Sequence, residues 1–188
     1  MITTPRLRLR RWEQPDLDPF AEICADEQVM EFFPAPLTRK QSNDFIARVD
    51  RHFDEHGYGF WAVESLEGPR LIGFVGLAQV AFAADFVPAV EIGWRLARSA
   101  WGQGYASEAG RAALGYAFET LGLCEIVSFT VPENTRSRAV MERLGLKRNP
   151  REDFDHPTLG ARHPLARHVL YRLAASDWSG SSQRDEAV

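Results

Sequence analysis

The run Val90-Glu91-Ile92-Gly93-Trp94-Arg95-Leu96-Ala97-Arg98-Ser99-Ala100-Trp101-Gly102-Gln103-Gly104-Tyr105-Ala106-Ser107-Glu108-Ala109 joins a strand to a helix through a glycine-bearing turn. Its first part belongs to a strand expected over 86–97. Behind the turn, Ala106, Ala109, Ala113, Leu114, Ala117 and Phe118 mark the buried stripe of a helix that stops at Gly122. Glu125–Val131 reads as the next strand, which makes this region one βαβ crossover. A turn of this kind lets a ligand approach the backbone closely, and the free N–H groups of the helix start, with the helix dipole, favour phosphate or pyrophosphate.

Outward from this unit the hydrophobic period keeps changing. Towards the N-terminus, Tyr58–Glu64 and Arg70–Phe82 read as strands, with turns at Glu67-Gly68-Pro69 and around Ala84-Asp85. Before them, Phe45, Ile46, Val49 and Phe53 form one face of a helix capped by Thr38 and ended near Gly57. An earlier helix starts at Pro15-Asp16-Leu17-Asp18, and Arg6 to Arg10 alternate like a half-buried strand. Towards the C-terminus, Asn134 to Leu144 is a short helix with Gly145 after it, and Arg167–Leu173 is the last strand. The order predicts an α+β domain over residues 1–175 and a flexible Ser/Gly-rich tail over 176–188.

Composition narrows the class. The 188 residues are 45% hydrophobic and 26% charged, enough for an ordinary core without disulfide or metal staples. Twenty-two Lys and Arg against 26 Asp and Glu argue against a nucleic-acid partner. The apolar run from Leu71 to Trp94 is interrupted by Gln79, Asp85, Pro88 and Glu91, so it reads as two buried strands and not as a membrane span. Four arginines lie in residues 1–12 without an apolar segment, which excludes a secretory signal. Cys24 and Cys124 show no ligand spacing; both are expected to be packed among apolar neighbours in a reducing compartment, the cytoplasm. No metal is expected.

Two nucleotide readings meet at the glycine turn. In a dinucleotide fingerprint the third glycine would stand where Ser107 is, and an acid would end the following strand; Glu125 starts it. The second reading covers more residues. Leu96 to Ala106, followed by Glu108-Ala109, resembles the acetyl-CoA loop of the GCN5-related N-acetyltransferases, in the form found in the branch that acetylates N-terminal amines of ribosomal proteins. Asn134-Thr135-Arg136-Ser137-Arg138-Ala139-Val140-Met141-Glu142-Arg143-Leu144-Gly145-Leu146 resembles that branch's Asn-x-x-Ser helix, and Thr4-Pro5-Arg6-Leu7-Arg8-Leu9-Arg10 its first strand.

The resemblance implies a mixed, mostly antiparallel twisted sheet of about seven strands with helices on both faces. It also implies acetyl transfer from acetyl-CoA to a primary amine, a protein N-terminus or a small molecule, by direct attack on the thioester. Trp101 departs from the Arg or Gln that opens the loop in the wider superfamily. The loop from Trp101 through Gly102, Gln103, Gly104, Tyr105 and Ala106 to Ser107 would anchor the phosphates, with Leu96 pairing its backbone with the pantetheine arm. Asn134 would hold the pantetheine amides, or simply cap its helix. Ser137 would stand near the sulfur as proton donor, or make local helix bonds. Arg138, with Arg136 or Arg143, would meet the phosphates, or simply be solvated. Glu91, an acid in an apolar strand, is the first candidate for the base; a solvent-facing carboxylate is the alternative. Asp155 or His156 would bind or deprotonate the amine, against the plainer reading of a hairpin loop. A homodimer is the default assembly for such a chain. The rival activities are a non-catalytic acyl-CoA-binding module and a dinucleotide oxidoreductase.

Overall fold

A computed structural model describes residues 1–68, 70–160 and 162–180. The chain divides into two compact units, Met1–Ala78 with Gly93–Gly110, and Gln79–Ile92 with Arg111–Val188.

In the first unit, β1 (Ile2–Thr3), β2 (Leu7–Arg10), β3 (Phe60–Ser65) and β4 (Leu71–Gln79) pair in succession, all antiparallel, with Leu9 opposite Val63 and Trp61 opposite Val75. Alternation in β2 buries Leu7 and Leu9 completely. Arg10 is also buried, and is held by Asp16 at 2.6 and 2.9 Å and by Glu64 at 3.0 Å. Two helices supply the apolar stripes that cover such a sheet: α1 (Leu17–Ala25) buries Phe20 and Ile23, and α2 (Arg39–His56) buries Ile46, Val49 and Phe53. The ends of α2 follow from its sequence. Thr38 Oγ1 accepts the Gln41 N–H while Gln41 Oε1 accepts the Thr38 N–H, a reciprocal capping box, and Gly57 closes the helix at φ 78°. The C-terminal part of β5 (Val90–Leu96) runs so close to β4 that a Cβ on Gly73 would lie 2.1 Å from the Arg95 carbonyl oxygen.

In the second unit, the N-terminal part of β5 pairs in parallel with β6 (Glu125–Thr130), Glu91 opposite Val127. Antiparallel to β6 lies β9 (Arg167–Ala174), which also carries the two-residue strands β7 (Lys147–Arg148) and β8 (Phe154–Asp155). The second unit holds α4 (Thr135–Arg143), and α3 (Tyr105–Gly115) continues into it as a π-helical turn over Tyr116–Thr120, before Gly122 at φ 65°. Val127, Leu170 and Val80 are buried at the centre of its aromatic side.

The architecture is therefore α+β, mixed and mostly antiparallel, as expected. Two expectations change, the turn around Ala84-Asp85 and the burial of Cys124. Among the described residues there are nine strands, of which β1, β7 and β8 are two-residue ladders too short to show a period. The hairpin expected around Ala84-Asp85 is a ten-residue segment, 80–89, closed by a Val80 N–H to Ala89 carbonyl bond of 3.0 Å. Cys124 is exposed, while Cys24 is buried as expected and accepts from Arg95 Nη1 at 3.2 Å. Ala175–Asp177 forms a 3-10 turn, and the part of the expected tail over 181–188 lies outside the described residues.

Candidate active site

The glycine turn lies in the first unit. After Leu96 the chain makes a 3-10 turn over Arg98–Ala100, then passes through Gly102 at φ 74° and Gly104 at φ 78° into α3. A side chain is strained in this left-handed region, so glycine is required twice within three residues. Gly102, Gln103 and Gly104 are solvent-exposed, and a Cβ on Gly102 would meet nothing within 4 Å. The backbone is therefore open to an approaching ligand. The first turn of α3 directs N–H groups that have no intrahelical carbonyl, with the positive end of the dipole, to the same place. The donor set fits a diphosphate-bearing molecule such as acetyl-CoA.

Trp101 has a task that its departure from the Arg/Gln pattern did not suggest. Its indole Nε1–H donates to the Leu96 carbonyl at 2.9 Å and ties the loop back to the end of β5. That bond uses one of the two lone pairs of the Leu96 oxygen.

A second tie comes from the N-terminus. Glu108, in the first turn of α3, accepts from Thr4 Oγ1 at 2.6 Å, from the Arg6 backbone N–H at 3.0 Å and from Arg6 Nε at 2.7 Å. Arg6 also donates Nη1 to the Gln103 carbonyl at 3.0 Å, and its guanidinium lies 4.8 Å from the Tyr105 ring centroid. Desolvation alone would raise the Glu108 pKa, but the bonds from Thr4 and Arg6 outweigh it and hold the carboxyl below its usual range. Thr4, Arg6 and Glu108 all stood within the quoted motifs, yet sequence reasoning gave none of them a role. Their separation of about a hundred residues left no local signal.

The remaining candidates lie in the second unit. Asn134 is the N-cap of α4: its Oδ1 accepts the Ser137 N–H at 3.2 Å and its Nδ2 donates to Thr130 Oγ1 at 3.0 Å. The capping alternative is thus realised. Ser137 is a half-buried residue of the first turn of α4. Arg138 spends Nη1 on the Pro132 carbonyl at 2.9 Å and Nε on the Tyr171 hydroxyl at 3.2 Å, which makes it a strut between α4 and β9.

Glu91 is half-buried between the buried Val90 and Ile92, and it faces the side of β6 on which Val127 stands. Desolvation pushes its carboxyl up to about 7. Asp155 is exposed and ion-paired with Arg167 at 3.3 Å. His156 Nδ1 lies 3.0 Å from Thr158 Oγ1, and burial followed by the neighbouring His168 lowers its pKa. Both residues sit at the β8–β9 ladder, where a loop was the plain expectation. Among the described residues no group of His, Cys, Asp and Glu is placed to hold a metal ion, and no helix is long and apolar enough to cross a membrane.

Comparison with known proteins agrees with this geometry. Residues 6–147 match the acetyltransferase (GNAT) domain. The chain is 31% identical over 178 residues to the uncharacterized N-acetyltransferase YnaD of Bacillus subtilis, covering 95% of this chain and 99% of that one. A GNAT-family acetyltransferase from Bacillus anthracis superimposes with a TM-score of 0.76 at 25% identity, over 93% of this chain and 98% of the other. Spermidine N-acetyltransferase from Vibrio cholerae, solved with CoA and spermine, shares the fold, with a TM-score of 0.72 at 19% identity over 93% and 98% of the two chains. A positive-φ glycine loop leading into α3, inside a match that spans most of the chain, places this protein in the GNAT family: it is an acetyltransferase.

Proposed function

We propose that the protein transfers the acetyl group of acetyl-CoA to a primary amine by direct attack of the amine on the thioester. The observation that carries this reading is the open loop Gly102–Ser107 with its two left-handed glycines, pinned from one side by Trp101 and from the other by Arg6. Acyl transfer needs an anchored donor, a neutral amine, stabilisation of the developing oxyanion and a proton for the departing thiolate. We assign anchoring to the loop amides, together with Leu96 and the helix that Asn134 caps. Ser137 is assigned as proton donor to the thiolate, and Arg138 is kept as the strut that holds α4.

Glu91 is the base in this reading. A carboxyl with a pKa of about 7 is half ionised at neutral pH, which suits removal of a proton from an ammonium through water. Asp155 is engaged by Arg167, which supports a positioning role over proton transfer. His156, kept neutral by burial, is the second group able to accept a proton. The acceptor belongs to the amines that the family acetylates, either a protein N-terminus or a small molecule. We place the reaction in the cytoplasm and expect a homodimer.

Calorimetric titration tests the reading. Acetyl-CoA is expected to bind and NADH is not, and addition of an amine should release CoA thiol from the complex. Gly104→Glu, which forces a side chain into φ 78° at the loop, should abolish acetyl-CoA binding. Normal binding by that variant would show the loop assignment to be wrong, and absence of thiol release with every amine would leave only a binding module.

A further inference from the structure

Acetyl transfer alone leaves one face of the second unit unexplained. Phe82, Phe86, Phe129 and Phe154 gather with His156 and His168, with ring centroids from 4.4 Å (Phe82–His156) to 6.3 Å (Phe154–His156). All six rings are half-buried, so they are neither sealed into the core nor scattered over the surface. The four phenyl rings rest on buried Val80, Val127 and Leu170. Glu91 belongs to the same face. It pairs in parallel register with Val127, partners in register share a face, and Ala89, two residues earlier, packs on the same cluster.

The charges around this wall are unevenly distributed. Asp153 is taken by Arg148, Asp155 by Arg167, and Glu125 and Glu152 by Arg172 at 2.6 and 3.1 Å. Arg172 stands 6.0 Å from the Phe86 centroid, a resident cation beside the rings. Burial is the first cause that lowers the pKa of both His156 and His168, so neither imidazole adds charge at neutral pH. The wall thus offers four half-buried phenyl rings and, in Glu91, a carboxyl that no basic side chain engages. A single ammonium on an apolar body suits this surface. A slender polyamine, lacking such a body, would leave the four phenyl rings largely uncovered.

We infer that the acceptor is a primary amine with an aromatic or bulky apolar skeleton, which lies against this ring wall with its nitrogen directed to Glu91; the inference rests on the acetyl transfer proposed above. In the transfer the N–C bond forms and the C–S bond breaks. The ammonium gives up two protons, one through Glu91 to solvent and one to the leaving thiolate, which departs as the thiol. A small arylalkylamine and a peptide with an apolar first residue present the same chemistry.

The experiment compares 2-phenylethylamine, a tetrapeptide beginning with phenylalanine, and spermidine, by thiol release after calorimetry has established acetyl-CoA binding. At least one aromatic acceptor should exceed spermidine in kcat/KM by about tenfold or more, and the better of the two identifies the source. Phe82→Ala, in the irregular segment 80–89, should bring that ratio towards unity without changing acetyl-CoA affinity; Phe82→Leu serves if the alanine variant does not fold. Preference for spermidine, no turnover of either aromatic acceptor, or an unchanged ratio in the Phe82 variant would each overturn the inference while acetyl-CoA binding stands. Failure to bind acetyl-CoA at all would overturn the acetyl-transfer reading itself.

Discussion

Removal of the Arg6 side chain tests how the cofactor loop is held. The side chain makes an ion pair with Glu108 at 2.5 Å, a bond to the Gln103 carbonyl at 3.0 Å and a cation–π contact with Tyr105 at 4.8 Å. It is also 44% exposed, so water replaces part of what is lost. At such exposure the ion pair contributes about 0.5–1 kcal/mol. The carbonyl bond contributes about 1 kcal/mol, and the cation–π contact about 0.5 kcal/mol. After allowance for hydration, about 1.5 kcal/mol falls on the loop, because Glu108 keeps its bonds to Thr4 and to the residue 6 backbone. Arg6→Ala should therefore weaken acetyl-CoA binding by up to about tenfold in calorimetry. Arg6→Lys can reach Glu108 or Gln103 but not both as the planar fork does, and should recover only part. Arg8→Ala, which loses only a 3.6 Å approach to Glu64, is the control and should bind as the parent does. If Arg6→Ala binds acetyl-CoA within about twofold of the parent, the loop supports itself and the brace has no part in binding.

Three further outcomes follow from burial and close packing. Glu91 ionises in the folded protein at about 7, against about 4.3 for a free glutamate, so the folded state holds more protons than the unfolded one between these values. Stability is therefore greatest below the lower value and is lost as pH rises towards 7; Glu91→Gln should raise the melting temperature at pH 8 and leave it unchanged near pH 4. In the same variant kcat should fall and lose its rise with pH through about 7, while acetyl-CoA affinity is spared; an unaltered pH profile would remove Glu91 from proton transfer. Gly73→Ala places a Cβ 2.1 Å from the Arg95 carbonyl at φ 133°, and should cost several kcal/mol in urea melts; a loss under about 1 kcal/mol would mean that β4 and β5 can part there.

Much of the fold is legible in the sequence because its longer elements announce their period. Leu7 and Leu9 alternate in β2, the stripe Ile46, Val49 and Phe53 repeats at helical spacing in α2, and Thr38 and Gly57 bound that helix with their own chemistry. The two-residue strands β7 and β8 have no period to read; they exist because β9 presents backbone groups that Lys147, Arg148, Phe154 and Asp155 can pair with. The same limit explains Cys124. Its apolar neighbours Leu123 and Ile126 suggest burial, but it stands just before β6 begins, where the chain is exposed.

At the candidate site the legible part is local and the missing part is distant. The loop could be read because φ-permissive glycines at 102 and 104 and a helix directly behind them lie within one stretch of chain. Two glutamates show where the line falls. Glu91 stands out in the sequence as an acid in an apolar strand, whereas nothing local to Glu108 shows what engages it. The fold sets Glu91 beside Val127, Ala89 and the phenyl rings, where desolvation raises its pKa and no hydrogen bond opposes it. It sets Glu108 against Thr4 and Arg6, whose bonds overcome desolvation and keep the carboxylate ionised. One carboxyl is thereby prepared to exchange a proton and the other to hold a charge in place. The difference comes from residues 36 and about a hundred positions away, which only the folded chain brings into contact.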